Sequence, residues 1–254
     1  MRRRLLFFLF CILWLAFPQG VLAEGEGVRP MVQTVMPVDE YRGLVHLGLL
    51  ETEVNDNGDM SQSVRDVMPA IAQIRVGNFW GSGVILEIGE DDLLLVTNRH
   101  VLAHQADMAY VRFYSGASGA SREMVCSDRY DLGFVRMDIS GWSYEDRRKL
   151  RFVNTDSTEK LSKGDDIFLV GSTDGVACNV YVGTVADPWY YFEEFDSYMI
   201  YNYCKAKGGM SGGGTFDEHG HYIGMVTGGY DDETASLPLS IILEEKVRLL
   251  GTNK

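Results

Sequence analysis

The sequence predicts an all-β protein, a sandwich or barrel followed by one helix near the end of the chain. Short apolar runs alternate with clusters of Gly, Asp, Asn and Ser, the pattern of short strands joined by turns. Helical periodicity returns only at Leu239–Leu250. The strand-like runs are Ala70–Val76, Gly83–Ile88, Leu93–Thr97, Met108–Tyr114, Leu132–Met137, Ile167–Val170, Val180–Val185, Tyr198–Tyr203 and His221–Val226.

The first 23 residues have the organisation of a secretory signal peptide. Three arginines at positions 2–4 precede an apolar run over residues 5–17, and residues 21–23 are small or apolar. We expect cleavage between Ala23 and Glu24. A membrane anchor is the alternative, but the run is shorter than the ~20 residues that span a bilayer. The sequence therefore predicts a secreted or periplasmic protein without stable membrane insertion after cleavage.

Residues 24–62 form an acidic extension, and residues 63–254 are predicted to form a single domain. Within the extension, Val38–Glu53 is compatible with a helix. At the start of the domain, Ser63-Val-Arg-Asp66 predicts a short capped helix that ends before Pro69. Cleavage after residue 23 leaves 231 of the 254 residues, which suits one large all-β domain with an extension.

The charge of the chain argues against two classes of partner. The formal net charge is −13, and removal of residues 1–23 takes away three arginines and no acid, which brings it to −16. An acidic protein is repelled by phosphate groups, so neither nucleic acid nor an anionic membrane is an expected partner.

The cysteines do not indicate a metal site. Cys126, Cys178 and Cys204 remain after cleavage, and this odd number leaves at least one thiol without an intramolecular partner. No Cys-x-x-Cys occurs. His100-x-x-x-His104 has the spacing of two ligands on a helix, but no Glu follows His100 and no third ligand suggests itself. We expect no metal and no cofactor.

Residues 207–214 read Lys-Gly-Gly-Met-Ser-Gly-Gly-Gly and single out Ser211. A nucleophilic serine must be exposed, and neighbouring N–H groups must reach a developing oxyanion without obstruction by Cβ atoms. Such a stretch is equally typical of a turn. Two upstream segments favour the nucleophile, because His100 in Val-Thr-Asn-Arg-His-Val offers a base and Asp131 in Tyr-Asp-Leu-Gly-Phe-Val offers a carboxylate.

His100, Asp131 and Ser211 occur in that order, separated by 31 and 80 residues. The imidazole would take the serine proton and pass it to the leaving amine, while the carboxylate would hold the second ring nitrogen. The backbone N–H groups of Gly209 and Ser211 are the expected oxyanion donors. These residues predict a serine endopeptidase that acts on polypeptides through an acyl-enzyme.

In these motifs the chain resembles the chymotrypsin-fold (trypsin-like) serine proteases, and most closely the Deg/HtrA type. The resemblance covers about residues 63–250 and implies two perpendicular six-stranded β-barrels, a site in the cleft between them, and a C-terminal helix. The motifs are Gly81-Ser-Gly-Val-Ile-Leu86, Thr97-Asn-Arg-His-Val101, Asp131-Leu-Gly-Phe-Val135, Gly209-Met-Ser-Gly-Gly213 and His221-Tyr-Ile-Gly-Met-Val-Thr-Gly-Gly229.

The resemblance also assigns a substrate pocket and one possible disulfide. The strands that contain Cys178 and Cys204 would be neighbours, which brings the two cysteines within reach of each other. Lys205 would favour an acidic residue before the cut or point into solvent, and Val226 stands where glutamate-specific relatives tend to have histidine. The predicted pocket residues are Lys205, Ala206, Lys207, Thr227, Gly228 and Gly229.

Two features depart from relatives of this type. Deg/HtrA proteins usually carry a PDZ domain after the protease, whereas 43 residues follow Ser211 here, so activation through such a domain in cis is not expected. Met210 stands where digestive zymogens have an Asp, so activation by an internal salt bridge to a new N-terminus is not expected either.

Two other functions fit parts of the sequence. Gly209-x-Ser-x-Gly213 satisfies the nucleophile elbow of α/β-hydrolases, but that fold alternates strands and helices and needs an acid and a histidine on later strands. A catalytically silent binding protein with the same fold is the more serious alternative. An aromatic-rich region is predicted to be mostly core, with some rings in a substrate groove or a self-association surface: Trp189, Tyr190, Tyr191, Phe192, Phe195, Tyr198, Tyr201 and Tyr203.

Overall fold

The computed structural model describes residues 51–55, 57–103, 107–157, 160–173 and 177–251. The predicted signal peptide, the extension up to residue 50 and His104 lie outside these residues. Within them, no helix has the length and apolar character needed to span a membrane.

Seven antiparallel strands form the first sheet in the order β5-β4-β1-β2-β3-β7-β6. One strand more than predicted is present, and the sheet is nearly closed because Ser121 Oγ on β5 donates to the carbonyl oxygen of Arg136 on β7. The strands are β1 (Ile71–Val76), β2 (Phe79–Ile88), β3 (Asp92–Thr97), β4 (Ala109–Phe113), β5 (Ser118–Ser121), β6 (Glu123–Cys126) and β7 (Gly133–Asp138).

Six strands close the second sheet into a barrel in the order β10-β13-β12-β11-β8-β9, as predicted. Its strands are β8 (Asp166–Thr173), β9 (Ala177–Phe192), β10 (Ser197–Tyr203), β11 (Gly214–Asp217), β12 (Tyr222–Tyr230) and β13 (Glu233–Pro238). Four α-helices accompany the sheets within the described residues, α1 (Met60–Val67), α2 (Arg99–Leu102), α3 (Tyr144–Arg147) and α4 (Leu239–Leu250), and a 3₁₀ helix (Met68–Ala70) follows α1. The predicted all-β fold with two barrel-like sheets and a C-terminal helix is confirmed.

The apolar residues form one core inside each sheet and a third between the sheets. Strand β4 illustrates the core inside the first sheet, since its side chains alternate between buried and exposed as one face of the strand turns inward. The core between the sheets combines Val84 and Phe134 of the first with Phe168 and Phe216 of the second. The rings of Phe168 and Phe216 stack 5.3 Å apart. The two sheets are therefore joined by a continuous apolar core.

The described chain contacts the barrels upstream of the predicted boundary at residue 62. The N–H of Thr52 donates to the carbonyl oxygen of Phe152 at 2.7 Å, and the N–H of Asn55 donates to that of His219 at 2.9 Å. The predicted short helix is present but begins at Met60, because the Asp59 carboxylate accepts the N–H groups of the first turn. The boundary thus falls inside α1.

The proposed Cys178–Cys204 disulfide is wrong, because both thiols are free in the structure. Cys178 pairs with Ser172 across the β8–β9 ladder, whereas Cys204 packs beside Gly183. Five residues of strand separate the two places along β9, a distance of roughly 17 Å, which exceeds the reach of a disulfide. Burial raises the pKa of each of these two thiols to about 12, so both stay protonated at neutral pH.

Most rings of the aromatic-rich region are not core residues. Phe192 is buried, and Tyr201 and Phe195 are partly buried. The expectation failed because β9 and β10 pair as a long hairpin in which Phe192 packs into the core while side chains on the other face stay exposed. The exposed rings are Trp189, Tyr190, Tyr191, Tyr198 and Tyr203.

Candidate active site

His100 and Asp131 form a two-point contact. His100 lies in α2, directly after β3, and its backbone N–H donates to Asp131 Oδ1 at 2.8 Å. Its ring Nδ1 lies 2.6 Å from Asp131 Oδ2. Because the carboxylate holds both the backbone and the ring, it fixes the orientation of the imidazole. Nε2 is then the nitrogen left for another partner.

Asp131 is held by the turn that joins β6 to β7. Ser127 organises this turn: its N–H donates to the carbonyl oxygen of Leu132, and its Oγ accepts the N–H groups of Arg129 and Tyr130. The carbonyl oxygen of Asp131 accepts from the buried amide of Asn98, which is the N-cap residue of α2. The backbone on both sides of the His100–Asp131 pair is therefore fixed by side chains.

Helix α4 reaches this turn through a buried carboxylate. Glu245 Oε2 accepts from Ser127 Oγ at 2.6 Å and from Arg248 at 2.6 Å, and the Glu245 side chain is 1 % exposed. The Arg248 hydrogen bond lowers the pKa of Glu245, which keeps it ionised at neutral pH. A charge contributed by the last helix thus holds the turn that precedes Asp131.

Ser211 stands at the corner of two consecutive turns. The N–H of Met210 donates to the carbonyl oxygen of Lys207, and the N–H of Gly213 donates to that of Met210. Gly209 and Gly212 each take the third position of a turn, with φ of 93° and 87°. A Cβ on Gly212 would also overlap the carbonyl oxygen of Ser82. The glycines are needed for the geometry that presents Ser211.

Between Gly209 and Gly213, two backbone N–H groups have no partner among the described residues, those of Gly209 and Ser211. The other N–H groups of this segment, those of Met210, Gly212 and Gly213, all donate to backbone carbonyl oxygens. Unpaired N–H groups are rare away from water. These two are the donors predicted for an oxyanion.

Ser82 on β2 holds the Ser211 loop through two hydrogen bonds. Its N–H donates to the carbonyl oxygen of Ser211 at 2.7 Å, and its Oγ donates to that of Gly209 at 2.8 Å. The same Oγ accepts the N–H of Ser172 on β8 at 2.7 Å, and Ser82 is completely buried. Because both carbonyls are held by Ser82, the peptide planes around Ser211 are fixed relative to both sheets.

The residue after His100 and the backbone of Ser211 both lie against Gly81. A Cβ on Gly81 would clash with the side chain of Val101, the residue after His100, and would lie 3.1 Å from the carbonyl oxygen of Ser211. The structure contains no hydrogen bond between Ser211 Oγ and the His100 ring among the described residues. Catalytic hydrogen bonds often tighten only when substrate is bound.

The predicted pocket residues divide into two groups. Lys205 and Lys207 are exposed and Ala206 is partly buried before the loop. Thr227 is buried and accepts from Asn98, so its hydroxyl supports the Asp131 segment. Gly228 and Gly229 do not leave their side-chain positions open, because a Cβ on Gly228 would lie 2.8 Å from Phe195 and one on Gly229 2.8 Å from the Glu233 carbonyl oxygen. The pocket assignment stays a prediction.

Four supporting residues were missed by sequence reasoning: Ser82, Asn98, Ser127 and Glu245. Ser82 and Asn98 lie inside motifs that were recognised, but nothing in a single sequence shows what their side chains contact. Glu245 sits in an amphipathic helix 118 residues from Ser127 and gives no local signal. The described residues contain no group of three or more His, Cys, Asp or Glu side chains placed to hold a metal ion.

A model of the trypsin-like peptidase domain matches residues 81–225, more than half of the chain. The chain belongs to the trypsin-like peptidase family. The matched range includes His100, Asp131, Ser211 and Ser82, whereas Thr227 and Glu245 lie beyond it.

Solved structures of trypsin-like peptidases share the fold. The HtrA-type protease AlgW with a tripeptide superposes with a TM-score of 0.64 at 22 % identity, covering 74 % of this chain and 63 % of that one. Deg5 gives a TM-score of 0.62 at 19 % identity, with coverage of 79 % and 99 %. At these identities the likeness shows the architecture alone.

Curated relatives include proteins named pro-apoptotic serine protease NMA111. The one from Debaryomyces hansenii is 24 % identical over 156 residues, and the one from Yarrowia lipolytica is 27 % identical over 157 residues. Each alignment covers 58 % of this chain but only 15 % and 16 % of the relative. The chain thus spans about one sixth of the length of the relatives it matches.

Proposed function

We propose that the protein is an exported serine endopeptidase in which Ser211 is the nucleophile, His100 the general base and Asp131 the orienting carboxylate. The observation that carries this proposal is the combination of the two-point His100–Asp131 contact with the two unused N–H groups that flank Met210. Export rests on the signal-peptide organisation of residues 1–23.

The chemistry follows from which groups are free. With Nδ1 held by Asp131, Nε2 of His100 takes the proton of Ser211 as Oγ attacks the scissile carbonyl carbon. The carbonyl oxygen becomes an oxyanion that the N–H groups of Gly209 and Ser211 receive. His100 then protonates the leaving amine, which gives an acyl-enzyme, and water activated by the same imidazole releases the acid. The substrate class is polypeptide, in keeping with the tripeptide named with AlgW.

Labelling with a fluorophosphonate probe tests this proposal, since only a serine activated by a neighbouring base and an oxyanion site reacts quickly with it. We expect native protein to be labelled and peptide mapping to place the adduct on Ser211. Heat-denatured protein serves as the control. Native protein that is labelled no faster than the denatured control would identify the protein as the catalytically silent alternative.

Replacing Ser82 by alanine is expected to lower kcat by about one to two orders of magnitude with little change in KM. The hydroxyl fixes the carbonyl of Gly209, in the peptide that lies between the two expected oxyanion donors, so its loss loosens the backbone segment that carries them. Ser121→Ala is the matched control, because this buried serine also makes one hydroxyl-to-carbonyl bond but lies in the first sheet away from Ser211. Equal kcat values for the two variants would contradict a role for Ser82 at the site.

A further inference from the structure

The β9–β10 hairpin presents three rings that its own fold leaves exposed, which we call the aromatic patch: Trp189, Tyr191 and Tyr198. Trp189 and Tyr198 stack with ring centroids 5.4 Å apart and planes 9° from parallel, and Tyr191 packs edge-on against Tyr198 at 5.3 Å. Each ring is 43–51 % exposed. Tyr191 and Tyr198 face each other in the strand register, so their backbones are already paired. The patch therefore offers ring faces and not a strand edge.

The hairpin carries charges of one sign only. From Ala177 to Tyr203 the sequence holds four acids and no Lys, Arg or His. Glu193 and Glu194 are exposed at the turn, and neither forms an ion pair with any residue that the structure describes. Asp196 accepts the hydroxyl of Tyr191. Rings and free carboxylates together form the surroundings that a guanidinium or ammonium group prefers.

A second exposed aromatic pair in the same protein shows what the patch lacks. Trp80 and Tyr110 are also about half exposed, but the guanidinium of Arg75 lies 5.3 Å and 4.9 Å from their ring centroids. No Lys or Arg of the described chain takes the equivalent place over the aromatic patch. The ring faces of the patch are therefore open to a cation from another molecule.

The hairpin is attached to the strand that supports the Ser211 loop. Phe195 at its turn packs against Gly228 of β12. Two residues earlier on β12, the carbonyl oxygen of Val226 accepts the N–H of Gly212, next to Ser211. A chain bound at the turn is thus held on the same strand that positions the nucleophile.

We propose that the aromatic patch binds lysine- and arginine-bearing segments of unfolded polypeptides and holds them beside the Ser211 site. The binding itself follows from the rings and charges, while its purpose, substrate retention, rests on the proposed function. A second copy of this chain is a poorer occupant, because two such hairpins would bring like charges together in a protein of net charge −13.

Binding of a fluorescein-labelled Gly/Ser peptide with spaced arginines, measured by anisotropy in the Ser211→Ala background, tests the proposal without cleavage. We expect the double variant Trp189→Ala/Tyr198→Ala to raise the Kd by about tenfold, because its cation–π contacts with the peptide are lost. Glu193→Gln/Glu194→Gln should weaken it and flatten its dependence on salt. Citrulline in place of arginine keeps the shape without the charge and should weaken binding by a similar factor.

Tyr114→Ala is the matched control, because Tyr114 is 49 % exposed but lies outside the hairpin, and its Kd should equal that of the parent. The proposal would be overturned if both hairpin variants bound the peptide as tightly as Tyr114→Ala does. It would also be overturned if the citrulline peptide bound as tightly as the arginine peptide. A self-association in sedimentation that only Trp189→Ala/Tyr198→Ala abolishes would assign the patch to a second copy. If the Ser211→Ala variants bind as expected but the native protein is not labelled by the fluorophosphonate probe, the endopeptidase function is refuted while the binding surface stands.

Discussion

Replacing Ser211 by alanine is expected to lower kcat by about 10⁶-fold, the largest effect of any single change in this protein. Alanine has no oxygen to attack the scissile carbonyl, so the acyl-enzyme cannot form, while the oxyanion donors and the substrate contacts remain. The fold should survive, because the backbone bonds of Ser211 to Ser82 do not involve the hydroxyl. Release of fluorescent fragments from labelled casein measures the effect.

Ser140→Ala, at an exposed serine outside the site, controls for handling and should cleave casein at the wild-type rate. Thermal unfolding of all three proteins checks that the Ser211 variant is folded. Residual cleavage by Ser211→Ala within tenfold of wild type would mean that a different residue is the nucleophile.

Asp131→Asn is expected to lower kcat by about 10⁴-fold with the geometry intact. The asparagine oxygen can still accept the backbone N–H of His100, so the side chain stays in place. Its NH₂ then faces Nδ1 and donates to it, which moves the ring proton to Nε2. An Nε2 that already carries a proton cannot take one from Ser211.

The conservative comparison is Asp138→Asn, because this exposed aspartate also accepts a backbone N–H, that of Ser140, at the far end of β7. Steady-state cleavage of one peptide substrate by both variants gives the ratio of their kcat values. An Asp131→Asn enzyme as fast as Asp138→Asn would show that Asp131 does not orient the base.

The sequence predicted the features that depend on local pattern. Alternating apolar residues predicted strands such as β4, and the glycines around Ser211 were compatible with a turn, where the structure has two. Strand β5 escaped notice because Ser118–Ser121 contains only small and polar residues, so pairing with β4 and not periodicity makes it a strand. The prediction of a Cys178–Cys204 disulfide was wrong because the strand register along β9 keeps the two residues apart. The prediction that most of the aromatic rings are buried was wrong because it depends on the length of the β9–β10 hairpin, which composition does not show.

The same division holds inside the site. His100, Asp131 and Ser211 could be predicted because each stands in a short motif with a recognisable chemical purpose. Their supports could not, since the bond from Ser82 to Gly209 joins residues 127 positions apart. The sequence around a serine in a strand looks the same whether its hydroxyl faces solvent or bonds to a distant loop.

The buried carboxylate of Glu245 also sets the order in which this site can be completed during synthesis. The ribosome delivers Asp131 more than a hundred residues before Glu245, so the turn around Ser127 emerges without the partner that later holds it. Domains fold as units while the chain grows from its N-terminus. Asp131 of the nascent chain therefore gains its final support only after α4 has been made and docked, which delays completion of the candidate site until translation of the domain is essentially over.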